Sequence, residues 1–352
     1  MYDVIIVGAG PAGSVFATLL NPNIKGLIID KKGEGMPFQK PCGGLLAPRA
    51  QKALASLSWT LPKDLLVDPQ IFCVKTIDLK TKLIRHYQRE YVNIDRYKFD
   101  LWLKSKIGEN VEQVQGVVTK VEKIENGGYK VTYTENGEQK TATAKSIVGA
   151  DGANSIVRKT LFPNSRCRQY LSVQQWFENE NEKPFYACIM DSQRTDCYSW
   201  ALVKEGKFIF GGAYPEKTGK KLFEEQKTAL EEYGFKFGKE LKTEACLVLR
   251  PTGNKSFCLG GENAFILGEA AGFITPSGLE GISSAILSGV ALADSFNQGK
   301  DGKTREKLYK KHTKKIRRTI RLRLIKAIPM YNPFLRKIVM KLGVTAMQVR
   351  EE

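Results

Sequence analysis

A glycine-rich turn near the start of the chain constrains the fold more than any other feature. The turn, Gly8-Ala9-Gly10-Pro11-Ala12-Gly13, follows an apolar segment over residues 2–7 that predicts a buried strand, and it precedes a predicted helix. In this pattern Gly8 permits the tight turn and Gly10 lets the backbone approach a pyrophosphate. Gly13 lets the helix pack close to the strand. The helix N-terminus then offers free N–H groups to phosphates. The sequence therefore predicts a dinucleotide site.

Three further segments extend this prediction. Residues 26–30 predict a second strand that ends in Asp30, where a carboxylate can accept hydrogen bonds from a ribose. Residues 146–159, SIVGADGANSIVRK, predict a strand, a glycine-flanked acid and a helix. Residues 264–289, AFILGEAAGFITPSGLEGISSAILSG, predict a strand, the acid Glu269, a loop and a long helix.

Length, cysteines and histidines limit the remaining possibilities. A chain of 352 residues is long enough for two domains. Its seven cysteines have no framework spacing, which predicts a reducing compartment and a cytoplasmic protein, or one attached peripherally to the inner face of the membrane. His86 and His312 are the only histidines and have no ligand partners at metal spacing, so we predict no metal site.

Together these motifs resemble FAD-dependent oxidoreductases of the para-hydroxybenzoate-hydroxylase fold, and within them the geranylgeranyl reductase family. Three other stretches carry the same resemblance: KPCGG (40–44), VNIDRYKFDLWL (92–103) and Tyr198-Ser199-Trp200. The resemblance implies an α/β fold, with a Rossmann-like FAD-binding domain, an inserted mixed β-sheet substrate domain and a C-terminal helical segment. It covers residues 2 to about 290.

The resemblance also implies which residues hold FAD. Asp151 would lie near the pyrophosphate, Arg96 beside the cofactor and Val118 against the adenine. Backbone N–H groups of residues 281–283 would face the flavin, where fixed dipoles stabilise the negative charge of its reduced form. Cys42 would face the substrate side of the ring. The complete predicted cofactor set is Gly8, Gly10, Ala12, Gly13, Asp30, Lys31, Cys42, Gly43, Arg96, Val118, Asp151, Gly268, Glu269, Gly281, Ile282 and Ser283.

Alternating apolar residues predict the second domain. Residues 71–91 and 166–250 predict a mixed sheet that covers the flavin, interrupted by a helix over 221–234. We expect the substrate between sheet and flavin, lined by Tyr198, Trp200, Phe210 and Tyr214, although alternate aromatic residues in a strand are also typical of a core. The FAD-binding domain is then discontinuous, over 1–70, 92–165 and 251–299.

The expected activity is reduction of C=C double bonds in an apolar substrate, such as a prenyl lipid, by hydride transfer from flavin N5. Cys42 or water would supply the proton, and Cys42 could instead only shape the pocket. No second G-x-G-x-x-G motif follows a strand, so electrons would come from NAD(P)H or from reduced ferredoxin or flavodoxin. The alternative is a flavin monooxygenase or a halogenase of the same fold.

The C-terminal segment, 300–352, carries most of the charge. Between residues 300 and 341 there are 16 Lys or Arg against Asp301 and Glu306, a net charge of +14 of the chain's +18. At 100° per residue one face of a first helix collects Ile316, Ile320, Leu324, Ala327, Ile328 and Tyr331, and beyond Pro329 and Pro333 a second collects Phe334, Leu335, Ile338, Val339 and Leu342. Basic amphipathic helices suit an anionic membrane surface, here through 300–342, or a docked helix with a solvated basic side. We expect no nucleic acid partner, because no recognised module accompanies the charge.

Overall fold

The computed structural model describes residues 1–31, 41–125, 127–182 and 186–350. Its strands are β1 (Tyr2–Val7), β2 (Gly26–Asp30), β3 (Leu45–Leu46), β4 (Ile71–Asp78), β5 (Leu83–Asn93), β6 (Val111–Gln115), β7 (Val117–Lys123), β8 (Tyr129–Glu135), β9 (Glu138–Gly149), β10 (Arg168–Glu178), β11 (Tyr186–Met190), β12 (Tyr198–Lys204), β13 (Lys207–Pro215), β14 (Glu240–Arg250), β15 (Gly260–Gly261) and β16 (Ala264–Ile266). Its α-helices are α1 (Pro11–Thr18), α2 (Pro48–Ala55), α3 (Arg96–Lys104), α4 (Ile156–Leu161), α5 (Gly219–Glu231), α6 (Ile282–Gln298), α7 (Gly302–His312), α8 (Lys314–Tyr331) and α9 (Pro333–Leu342).

The first sheet has a parallel core in the order β16-β9-β1-β2-β6, extended by β15 and by the antiparallel pair β7 and β8. Its central strands are continuous apolar runs because both of their faces are buried. Helices α1 and α6 pack together on one face, and Gly289 makes this possible, since a Cβ there would lie 2.7 Å from the carbonyl oxygen of Ala12. The parallel register brings the carboxyl ends of β1, β2 and β9 to one edge, which is where such sheets bind ligands.

The second sheet has the order β14-β10-β13-β12-β11-β4-β5-β3 and is mostly antiparallel, with one parallel pair between β4 and β11. Helix α5 covers one of its faces through an aromatic core in which the Phe210 and Phe223 rings stack 5.0 Å apart. The other face looks toward the carboxyl edge of the first sheet. The predicted fold class is confirmed, including the helical C-terminus. The predicted domain boundaries stay a prediction, and part of the first range, residues 32–40 with Lys40 of the KPCGG stretch, lies outside the described residues.

The C-terminal helices dock differently from the prediction. Pro329 lies inside α8, which continues to Tyr331, so the break comes only before Pro333. Ile328 is 60% exposed, and the buried side of α8 consists of Ile316, Ile320 and Ala327. Among the described residues, no helix combines the length and apolarity needed to cross a bilayer.

Helix α9 is held by a buried ion pair and not by its apolar face. The Arg336 guanidinium donates from Nε and Nη2 to the two carboxylate oxygens of Asp78, each at 3.0 Å. Asp78 is fully buried at the end of β4, and Arg336 is 5% exposed. Two parallel charge-assisted bonds fix the orientation of the helix as well as its position.

Candidate active site

A cavity of about 700 Å³ lies between the carboxyl edge of the first sheet and the open face of the second. Its volume is in the range of ligand pockets. The predicted cofactor residues that line it are Gly8, Gly10, Ala12, Asp30, Lys31, Cys42, Gly43, Arg96, Val118, Asp151, Glu269, Gly281, Ile282 and Ser283. Gly13 and Gly268 are outside the lining. These segments are far apart in sequence, and the fold brings them to one cavity.

The glycine turn has the geometry that each glycine was predicted to allow. Gly8 has a φ of +99°, and a Cβ there would lie 2.7 Å from the Ala150 carbonyl oxygen. A Cβ on Gly13 would lie 2.0 Å from the carbonyl oxygen of Gly8, so Gly13 serves the packing of α1 against the turn. A Cβ on Gly10 would meet no described atom within 4 Å, because Gly10 faces the cavity. The turn thus forms a cradle beside the N-terminus of α1.

Two carboxylates lie at the strand ends around this cradle. Asp30 lines the large cavity and also a smaller one of about 280 Å³ beside β6. Asp151 Oδ2 accepts a hydrogen bond from the Ile156 N–H at 2.7 Å. Its Oδ1 is buried and has no hydrogen-bond partner within the part of the chain that the structure describes. Burial raises the pKa of Asp151. An acceptor oxygen in that position suits a hydroxyl group of a bound ligand.

The N-terminus of the long helix α6 points into the same space. Gly281 is its N-cap and makes no side-chain cap, so the first N–H groups of the helix are directed at the cavity. Gly268 packs behind them, since a Cβ there would lie 2.9 Å from the Ala12 Cβ. Glu269, which stands where the resembled family usually has aspartate, accepts the Leu249 N–H at 2.9 Å through Oε1. The longer side chain therefore also attaches the first sheet to β14.

The Cys42 loop closes another side of the cavity. The Gly44 N–H contacts the Cys42 sulfur at 3.4 Å. Arg96 Nε donates to Asp100 Oδ1 at 2.8 Å, and the guanidinium also interacts with the thiol. Burial opposes the charged form of Arg96, but Asp100 and Cys42 outweigh it and raise the pKa of the guanidinium.

Lys204, which the sequence analysis did not single out, supports this loop from below. Its Nζ donates to the carbonyl oxygens of Gly43 at 3.0 Å and Ile94 at 2.9 Å, and the residue is only 5% exposed. Burial lowers its pKa from 10.5 to about 8, although Cys42 and Asp95 act in the opposite direction. A neutral amine still has two N–H donors, which match these two carbonyl acceptors.

We expect this buried amine to give the protein a distinctive pH dependence. Because the pKa of Lys204 is about 8 when folded and 10.5 when unfolded, the unfolded chain binds more protons between those values. The free energy of unfolding should therefore rise by roughly 3 kcal/mol from pH 8 to pH 10.5 through this group. Urea unfolding of Lys204→Met should lack that rise, whereas Lys207→Met, at an exposed position, should keep it. Equal pH dependence in the wild type and both variants would show that burial does not lower the pKa of Lys204.

The second sheet supplies an aromatic wall opposite the cofactor residues. Tyr198 and Trp200 lie in the lining as predicted, and their ring centroids are 5.8 Å apart. The Trp200 Nε1 donates to Gln174 Oε1 at 3.1 Å. Gly211, the partner of Trp200 on β13, leaves room for the ring, since a Cβ there would lie 2.6 Å from it. Tyr198 donates from its hydroxyl to the Gly278 carbonyl oxygen at 2.8 Å.

The placement of Phe210 and Tyr214 in the substrate pocket is wrong. Phe210 pairs with Ala201, one position away from Trp200, and therefore points to the opposite face of the sheet. There it stacks on Phe223 of α5, and the hydroxyl of Tyr214 bonds to Gln226. Both are fully buried core residues.

The wall also contains residues that the sequence analysis missed. Tyr91 and Tyr186 line the cavity with ring centroids 5.9 Å apart, and Glu280 lies beside the N-terminus of α6. Burial, with a contribution from Glu280, raises the pKa of Tyr91 to about 12. Both tyrosines lie in predicted strands with other aromatic and apolar residues, so the sequence did not separate them from ordinary strand aromatics. Glu280 precedes the predicted flavin-binding segment directly, and that adjacency was the available signal.

Comparisons with known proteins identify the fold. Residues 105–225 match the family described as FAD binding domain. A geranylgeranyl bacteriochlorophyll reductase-like protein from Thermoplasma acidophilum superposes with a TM-score of 0.80 at 19% identity, over 99% of this chain and 92% of that one. The flavin-dependent brominase Bmp2 superposes with a TM-score of 0.66 at 20% identity, over 97% and 92%. Klebsiella pneumoniae HpxO, solved with FAD and uric acid, superposes with a TM-score of 0.65 at 14% identity, over 96% and 92%.

The fold is thus that of the FAD-dependent oxidoreductases, a class that includes reductases, halogenases and hydroxylases. Sequence comparison gives a narrower assignment. Protein CbrA from Escherichia coli is 44% identical over 350 residues, covering 97% of this chain and 97% of that protein. Protein CbrA from Shigella sonnei matches to the same extent. The chain belongs to the CbrA family.

Proposed function

We propose that this protein binds FAD and reduces C=C double bonds of an apolar substrate, with prenyl lipids as the first candidates. The observation that carries the proposal is the thiol of Cys42 in a cavity with an aromatic wall, next to a glycine cradle and a helix N-terminus. This combination places an acid group, apolar contact area and anion-binding backbone in one space.

The residues present fit FAD in three places. The Gly10 backbone and the N-terminus of α1 would hold the pyrophosphate, and Asp30 the ribose of the adenosine. The buried Oδ1 of Asp151 would accept a hydrogen bond from a cofactor hydroxyl. The first N–H groups of α6 would face the flavin edge that carries negative charge in the reduced form. When bound, FAD would supply the hydride for the reaction.

The rest of the chemistry falls to the chain's own residues. The aromatic wall would bind the substrate and exclude water. The Cys42 sulfur would deliver a proton to the second alkene carbon, so that one hydride and one proton together saturate the bond. Arg96 and Lys204 would keep the thiol loop in place. The two electrons would come from NAD(P)H or from reduced ferredoxin or flavodoxin.

Anaerobic turnover tests the proposal. Protein loaded with FAD and reduced with dithionite should be reoxidised on mixing with a polyprenyl alcohol, which has no other reducible group, without O₂. Mass spectrometry should show a product heavier by two hydrogens. Reoxidation that requires O₂ and yields an oxygenated or halogenated product would instead establish the monooxygenase or halogenase alternative. A protein that is colourless once excess FAD has been removed by gel filtration would rule out both reactions.

A further inference from the structure

The last two helices concentrate exposed apolar side chains on one part of the molecule. Ten of the sixteen large apolar side chains that are exposed among the described residues lie beyond residue 321. On α8 the buried side is formed by Ile316, Ile320 and Ala327. At 100° per residue the exposed apolar positions point the opposite way. They are Leu322 (58% exposed), Ile325 (64%) and Ile328 (60%).

Helix α9 repeats this arrangement. Its buried side is formed by Met340 and by Arg336, whose ion pair with Asp78 fixes the rotation of the helix. The apolar residues on the opposite side are Phe334 (71% exposed), Ile338 (42%) and Leu342 (72%). We call these six exposed residues of α8 and α9 the α8–α9 face. Packing thus leaves an apolar stripe on each of the two helices facing away from the protein.

The charged residues of α8 and α9 are all positive. Residues 307–350 contain no Asp or Glu, and ten Lys or Arg lie between Lys314 and Lys341. Long cationic side chains beside outward apolar ones are typical of helices that lie in the interface of an anionic bilayer. Nucleic acid is also anionic, but binding to it would not explain six exposed aliphatic and aromatic side chains.

The C-terminal part of α8 also lies beside the cavity. The Tyr331 hydroxyl at the end of α8 donates to the Ser277 carbonyl oxygen at 2.8 Å, and the following residues, Gly278 to Ser283, line the cavity. Lys326 interacts electrostatically with the cavity residue Glu280 and with Arg49. The part of the cavity wall around Glu280 is therefore next to the cationic helix.

We propose that the α8–α9 face docks on an anionic lipid bilayer and holds the Glu280 side of the cavity close to the membrane surface. Each apolar side chain would enter the headgroup–acyl boundary, and the surrounding Lys and Arg would contact acidic headgroups. The closeness of the cavity to the bilayer matters only under the proposed function, because it would give an apolar substrate a short path from the membrane. The docking itself does not depend on the activity.

Vesicle flotation of the full-length protein tests the docking. We expect binding to vesicles rich in phosphatidylglycerol and little binding to pure phosphatidylcholine. Lys337→Gln/Lys341→Gln should weaken binding about 25-fold at low salt, from about fivefold per cation. Phe334→Ser/Leu342→Ser should weaken it at least about tenfold while leaving the charge unchanged.

Matched variants elsewhere on the surface serve as controls. Phe72→Ser removes an aromatic side chain that is 73% exposed, and Lys220→Gln/Lys221→Gln removes two exposed cations from α5. Both should bind vesicles like the wild type. The proposal is overturned if the wild type does not float with anionic vesicles. It is also overturned if the α8–α9 variants bind like their controls, or if RNA competes fully and the apolar variant keeps wild-type binding. The flavin absorbance of each variant, measured in parallel, distinguishes a loss of vesicle binding from a loss of FAD binding.

Discussion

Gly10→Val is expected to abolish FAD binding without destabilising the protein. Gly10 has a φ of −70° and a ψ of −178°, a conformation open to any residue, and a Cβ there would meet no described atom within 4 Å. The new methyl groups would occupy the space in which a pyrophosphate approaches the N-terminus of α1. We expect the affinity for FAD to fall at least about 100-fold, or about 2.7 kcal/mol, in a fluorescence titration.

Two other glycines make the comparison specific. Gly261→Val adds the same side chain where a Cβ also meets nothing within 4 Å, outside the cavity lining, and should bind FAD normally. Gly13→Val places a Cβ 2.0 Å from the Gly8 carbonyl oxygen, so it should lower the melting temperature of the FAD-free protein. Wild-type affinity in Gly10→Val would show that the turn does not receive the phosphates.

Local sequence patterns predicted the first sheet well because the residues that define each of its turns and strand ends are close together in the sequence. The Gly8–Gly13 turn combines a strand, a tight turn and a helix N-terminus within a dozen residues, and each glycine has a steric reason visible in the sequence. The convergence of three distant segments has a physical basis in parallel strands that end at one edge, but it was predicted from the family resemblance. The same resemblance, and not a local pattern, supplied Cys42, Arg96, Val118 and Asp151.

Strand alternation identified the two faces of the second sheet but not which one faces the cavity. Trp200 and Phe210 both looked like pocket residues, and the register between β12 and β13 sends them to opposite sides. Gly211, which makes room for the indole, was the distinguishing residue. Gly211 is informative only when the register that pairs it with Trp200 is known, and the sequence does not give that register.

The sequence also did not predict which distant residues pair with buried charged side chains. Lys204 ends an apolar strand, where a lysine usually indicates solvent, and only the carbonyl oxygens of Gly43 and Ile94 explain its burial. Arg336 is absent from the apolar face predicted for its helix, so the sequence likewise suggests that it is exposed to solvent. Its partner, Asp78, is more than 250 residues away, and that ion pair decides which side of α9 faces outward.

Cys42→Ala is the second substitution with a large expected effect, and it tests the proposed proton donor directly. The Cys42 loop packs over the sheet, with Gly43 next to Leu202 and Trp200, so the loop backbone should keep its place without the thiol. Loss of a positioned general acid typically costs 10²- to 10⁴-fold. We expect kcat for anaerobic alkene reduction to fall by about 10²-fold or more, with KM and the absorbance of bound flavin little changed.

The pattern of effects separates a proton donor from a residue that only shapes the pocket. Cys42→Ser conserves size but is a far weaker acid, so it should be nearly as slow as Cys42→Ala if the thiol donates the proton. If the sulfur only fills space, Cys42→Ser should retain activity, and Cys42→Ala should act mainly on KM. Cys73→Ala, outside the cavity lining, controls for the loss of a half-buried thiol. A wild-type kcat in Cys42→Ala would leave water, or the other cavity thiol at Cys246, as the source of the proton.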